Sequence, residues 1–217
     1  MLDRRALFFP CAAILPDPFE GLYSLPTTLE LAMGENTRPF LSSYQERKKM
    51  TFISSWHLNE YQSDAMWRTY TGTDDGVAIQ STVSRLITSF PPLKEPAPAN
   101  VVLQVLVGAV KYIDFDTEPS DWNNLYLSFL TKNKHFEHER EIRALIMGVP
   151  PALPAHMENG FYADVELDAL IQKIFISPTA PDYYADAVKA ICTKYGFGDR
   201  VERSGIARLP SYYGQFI

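Results

Sequence analysis

The chain has 217 residues, of which 46% are hydrophobic, 13% aromatic and 21% charged. That composition supplies a conventional core and excludes collagen, coiled-coil and disordered-linker architectures. Twenty basic against 26 acidic residues leave a net charge of -6, which repels a phosphate backbone and argues against non-specific nucleic-acid binding.

The length points to a single domain. Cys11 and Cys192 are too few for a disulfide framework and lack metal-ligand spacing, so the expected location is the reducing cytoplasm and no metal is expected. The run from Val101 to Val110 is interrupted by Gln104 and is about half the length of a membrane span, so no membrane association is expected.

Arg4 and Arg5 followed by ALFFPCAAIL have the outline of a secretion signal. Pro10 breaks the would-be apolar helix, and PDPFEG is not a small-residue cleavage site, so a buried first strand is expected. DPFEG (Asp17 to Gly21) reads as a turn that displays Asp17 and Glu20, with Phe19 available to plug the core. The polar stretch Gly34 to Lys49 is expected to lack regular structure. Thr51 to Trp56 alternates like a strand, and Ser63 to Tyr70 reads as a short helix capped by Ser63.

Gly76 opens the strand GVAIQST, and Val83, Leu86, Ile87 and Phe90 give a helical stripe capped by Ser81 or Thr82. Pro91 to Asn100 is an extended surface connection, because proline withholds the donor that helices and central strands need. Val101 to Phe115 is β-rich, with Gly108 marking a bulge. Ser120 opens a helix carrying Trp122, Leu125, Tyr126 and Phe129, and Glu139 to Met147 reads as a strand leaving a charged edge. Leu167, Leu170, Ile171 and Ile174 form another helical stripe. KIFISP is a strand, Asp182 to Tyr195 a helix stopped by Gly196, and Val201 to Ile206 contains a last strand. Strands and helices interleave without regular long crossovers, which indicates an α+β fold: a mixed or antiparallel twisted sheet with flanking helices.

The chain has no Gly-rich phosphate loop, GxSxG elbow, HExxH or kinase signature. Three clusters remain. The first is the turn with Asp17 and Glu20. The second, Ser54 to Thr82, collects Trp56, His57, Asn59, Trp67, Tyr70 and Gln80, a mixture of rings and amides that can stack a planar ligand and read its edge. Trp67 and Tyr70 share a helical face and serve equally as core, while His57 is a candidate base. The third is KNKHFEHEREIRALI. In an extended chain Glu139, Glu141 and Arg143 share a side, and neighbouring carboxylates repel and split their pKa values, as acid/base or oxocarbenium-stabilising work requires. In a helix Glu139 and Arg143 would be a plain i,i+4 ion pair. His135 and His138 have one-turn spacing but no third ligand.

DPFEG, SxWHxNExxSxAMWxxYxxxxxGVAIQST, VKYIDF, KxxxFExExEIRA and LIQKIFISPTAP together resemble a bacterial domain-of-unknown-function family with DPFE, MWxxY…G and ExExR motifs, over roughly Phe8 to Ser204. The Glu-bearing strand followed by a helix and another strand is also similar to the C-terminal half of ADP-ribosyltransferases. That resemblance implies that Glu141 stabilises charge as nicotinamide leaves NAD, with Glu139 the first member of the Glu-x-Glu pair. NAD is the cofactor it implies, and NAD or another small nucleotide the partner; no protein partner is indicated. The first-strand Arg or His and the Ser-Thr-Ser strand of that fold have no clear counterpart unless Arg5 or His57 and GVAIQST serve. The expected function is therefore an NAD- or nucleotide-using ADP-ribosyl transferase with a polar, aromatic-lined pocket. Its rival is a non-catalytic binding module of a bacterial defence or toxin-antitoxin system.

Overall fold

A computed structural model describes residues 1–35, 37–71, 75–91, 105–148 and 159–206. The proline-rich connection beyond Pro91 and the first residues of the Val101 run lie outside the described residues. The fold is α+β, as the interleaved patterns predict. The chain forms two compact units, one made of Ala6–Leu58 and Phe90–Asp164, the other of Met1–Arg5, Asn59–Ser89 and Val165–Ile217.

In the unit containing Ala6–Leu58, β1 (Ala6–Pro10) pairs antiparallel with β8 (Gly160–Asp164). Pro10 closes β1 opposite Gly160, at a strand end where a missing donor does little harm. The second sheet is antiparallel, with β7 (Glu141–Met147) between β2 (Thr51–His57) and β4 (Leu106–Ala109). Because β7 is central, Glu141 through Ile146 are all buried. A parallel pair, β5 (Lys111–Ile113) with β6 (Thr131–Asn133), completes its strands. Ala12, Ile53, Phe129 and Leu145 form a buried cluster against which Leu15, Tyr126, Leu130 and Met147 pack.

The helical pattern differs from the expectation in three places, two of them in this unit. The polar stretch after Gly34 carries α2 (Arg38–Ser42) and α3 (Tyr44–Lys49), following α1 (Leu25–Met33). Nothing in α3 breaks a helix, so short helices survive there without an obvious apolar stripe. Ser120 does not open a helix. It exchanges hydrogen bonds with Ser24 and Thr27 in a buried knot, and a 3-10 helix, Leu125–Leu130, starts later at Asn124, whose side chain accepts from Tyr126 N at 3.0 Å. Gly108 marks no bulge: it sits in register opposite Arg143, and a Cβ there would come within 2.5 Å of Leu130 Cδ1.

The other unit is built on a mixed sheet in which β9 (Lys173–Ile176) lies between β10 (Val201–Arg203) and β3 (Val77–Gln80). β9 and β10 are parallel, and α7 (Asp182–Lys194) supplies the crossover that parallel neighbours require. Gly196, at φ +84°, ends α7, with Phe197 N bonding back to Cys192 O at 2.8 Å. The helix α4 (Asp64–Thr71) begins after Ser63, whose hydroxyl accepts from Met66 N. Thr82 caps α5 (Val83–Thr88) by accepting from Arg85 N. The predicted stripe from Leu167 to Ile174 is buried throughout, yet α6 spans only Leu167–Leu170 and Ile174 already belongs to β9. Among the described residues no helix is long and apolar enough to cross a membrane.

Candidate functional site: a buried chain of five charges

The turn at Asp17 is fixed by its own side chain. Asp17 Oδ1 accepts from Phe19 N at 2.9 Å, and Glu20 N bonds to Asp17 O at 3.2 Å. Gly21 follows at φ +76°, and a Cβ there would meet the Phe129 ring at 2.4 Å, so both backbone and packing demand glycine. Phe19 does not plug the core. It is 41% exposed and rests edge-on against Phe115. Glu20 instead goes inward and is 2% exposed.

Its partner is Arg143, from the middle of β7. All five guanidinium donors are used: Nη1 donates to Glu20 Oε1 (2.6 Å) and Phe129 O (2.7 Å), Nη2 to Glu20 Oε2 (3.0 Å) and Glu141 Oε1 (3.3 Å), and Nε to Glu141 Oε2 (2.7 Å). Glu141 shares the strand face with Arg143, as period-two alternation predicts. Its Oε1 also accepts from Lys132 Nζ at 2.8 Å, and Lys132 in turn pairs with Glu139 and sits 4.5 Å from the Phe136 ring centroid. Three acids and two bases thus run in one line, Glu20, Arg143, Glu141, Lys132, Glu139, all buried except the partly buried Glu139 at its end.

The predicted continuous strand from Glu139 is interrupted. Residues Lys134–Glu139 form a 3-10 helix, and Arg140 takes a left-handed conformation at φ 43° before β7 begins at Glu141. Glu139 therefore reaches Lys132 from the helix end and not from the strand face. His57, opposite Glu141 in the sheet register, places Nδ1 2.6 Å from Glu139 O, while its buried Nε2 has no partner among the described residues. Tyr112 Oη accepts from Glu141 N at 2.7 Å, which fixes the first residue of β7.

The electrostatics split the acid pair. Burial alone would raise Glu141, but the hydrogen bonds and charge of Arg143, helped by hydrogen bonds from Glu139 and Lys132, carry it well below the usual carboxylate range. Glu139 moves the other way, raised by burial and by its hydrogen bond with Glu141, against the pull of Lys132. Burial also pushes Glu20 up while Arg143 draws it back. Burial works against the charge of Arg143 and Lys132, yet the facing carboxylates outweigh it and hold both above their ordinary values.

The remaining expected site residues divide between the two units. Trp56 is half-buried on β2 and donates Nε1 to Ser54 Oγ. Asn59, Trp67, Tyr70 and Gln80 belong to the other unit. There Trp67 is buried and Tyr70 is 66% exposed, so the two do not share a core face. Asn59 is exposed and accepts from Tyr61 N, and Gln80 ends β3. Asp17 is buried, and its Oδ2 has no hydrogen-bond partner among the described residues. Lys132 and Tyr112 were not singled out from sequence. A lysine seven residues before a glutamate carries no periodic signal, because only the pairing of β6 and the turn at Arg140 bring them together. Comparison with protein-family models, characterised proteins and solved structures returns no match.

Proposed function

We propose that the chain is a non-catalytic binding module in which the five-charge array is internal scaffolding. The observation that carries this reading is the occupation of Glu141: it is 5% exposed, and its two oxygens accept three charge-assisted hydrogen bonds from Arg143 and Lys132. A carboxylate that stabilises an oxocarbenium-like ribose must face the reacting atoms, and this one faces two cations of its own protein. Exposed rings in the other unit, Tyr61 and Tyr70, offer the type of amphipathic surface that binds partners.

One observation favours the transferase reading, with NAD or another nucleotide as ligand. Paired acids with opposite shifts are the arrangement acid/base chemistry uses. In that reading Glu139, the outer acid at 14% side-chain exposure, carries the proton toward substrate, and Glu141 is its fixed ionised neighbour. The test measures nicotinamide release from millimolar NAD together with urea unfolding for wild type, Glu139→Gln and Glu141→Gln. The binding-module reading expects no NAD consumption by wild type and a large stability loss in Glu141→Gln. NAD consumption that vanishes in a fully folded Glu139→Gln overturns it in favour of the transferase.

A further inference from the structure

The unit containing α6 carries a second ionic feature, and its balance of charge runs the other way. The short helix α6 leaves its last carbonyls without helical partners, and two arginines from distant segments take them. Arg85, from α5, donates Nη1 to Ala169 O at 2.6 Å and reaches Asp168 O and Ile171 O at 3.4 Å. Arg200, from the turn before β10, donates Nη1 to Ile171 O at 2.6 Å and Asp168 O at 3.3 Å. Both guanidinium groups therefore crowd onto the same two oxygens.

Capping a helix C-terminus needs one cation, and a second on the same carbonyls brings like-charge repulsion. The compensation present is partial. Asp168 pairs with Arg200 at 3.1 Å and is shared with Arg5 at 3.7 Å, and Arg5 also meets Glu166 at 3.8 Å. Among the described residues no carboxylate pairs with Arg85, and its Nε and Nη2 make no hydrogen bond. Arg200 is held in place by Phe197, whose ring centroid lies 5.0 Å from the guanidinium carbon. The result is two half-buried guanidinium groups, of which Arg85 keeps its Nε–Nη2 edge open while Arg200, whose Nη2 donates to Asp168 Oδ1, keeps Nε, in a group of three arginines and two carboxylates.

We propose that Arg85 and Arg200 form an anion site that takes the phosphate group of a small phosphorylated ligand. Phosphate is the anion whose charge and several oxygens match the open Nε–Nη2 edge of Arg85, which can bond two oxygens at once, together with the remaining donor of Arg200. The ligand is small because Glu166 and Asp168 flank the forks, and a long phosphate backbone would bring further negative charge against them and against the acidic chain. The site does not depend on whether Glu139 or Glu141 does chemistry, and it gives a binding module a ligand class.

The experiment titrates inorganic phosphate and pyrophosphate into the full chain with ionic strength held constant by chloride, reading phosphorus NMR shift and linewidth alongside the melting temperature. Wild type is expected to bind pyrophosphate and to melt higher in its presence. Arg85→Gln is expected to weaken binding by about tenfold or more, the scale of a lost charged hydrogen bond. Arg68→Gln, which removes an exposed arginine of α4, is expected to leave binding unchanged. If Arg85→Gln unfolds, Arg85→Lys keeps the charge without the fork and is expected to weaken binding while folding. The proposal is overturned if phosphate and chloride act alike, if binding survives both Arg85 substitutions, or if Arg68→Gln weakens it equally. Tighter binding of a duplex oligonucleotide than of pyrophosphate also overturns it, in favour of a polyanion surface.

Discussion

Arg143 and Glu141 make each other permissible inside a central strand. An ionised side chain buried alone costs several kcal/mol, and here every guanidinium donor and both Glu141 oxygens are occupied. Removing the charge at Glu141 leaves two cations short of a partner, so Glu141→Gln is expected to lower unfolding free energy by about 3 to 5 kcal/mol. Equilibrium urea unfolding measures it, and a loss below about 1 kcal/mol would mean the pair is worth no more than a surface one. Glu139 behaves oppositely. Its folded pKa lies above the ordinary carboxylate value, so its ionisation opposes folding, and that cost grows as pH rises from about 4.5 through the folded value. Glu139→Gln should therefore unfold at a higher urea concentration than wild type at pH 8, with the gap closing or reversing near pH 4. An equal or lower midpoint at pH 8 would show that the Lys132 pair outweighs the burial.

At the scale of elements, the DPFEG turn and the left-handed residue before β7 aim the charges. Gly21 and Gly196 both have positive φ, but a Cβ at Gly21 would strike Phe129, while nothing lies within 4 Å of one at Gly196. Gly196→Ala is expected to cost about 1 kcal/mol from backbone strain alone. Gly21→Ala should cost more, because Phe129 is fully buried and the turn delivers Glu20 to Arg143. Thermal melts of the two variants decide it, and equal losses would show that Phe129 yields freely. Tyr112→Phe removes the acceptor of the Glu141 N–H and should cost about 1 kcal/mol without disturbing the ion pairs.

For the molecule as a whole, Cys11 and Cys192 are free, buried and in different units. Burial also raises the Cys192 thiol, so both should react slowly with a thiol reagent in the native chain and promptly once it is denatured. Fast labelling of either under native conditions would contradict the burial. Legibility in the sequence follows the range of the forces involved. Local alternation and capping gave the strands β2, β3, β7 and β9, the caps at Ser63 and Thr82 and the stop at Gly196, because these depend on neighbours within a turn. The same alternation placed Glu141 and Arg143 on one face. Whether that face opens to a ligand or closes on Glu20 and Lys132 is set by partners 123 and nine residues away in the chain. Such pairings carry no periodic trace. Composition, charge, the α+β class and the identity of the charged residues were determined by the sequence alone. Only the tertiary structure decided that Glu141 spends its charge on Arg143 and Lys132, because burial and distance, not residue type, set what a carboxylate can do.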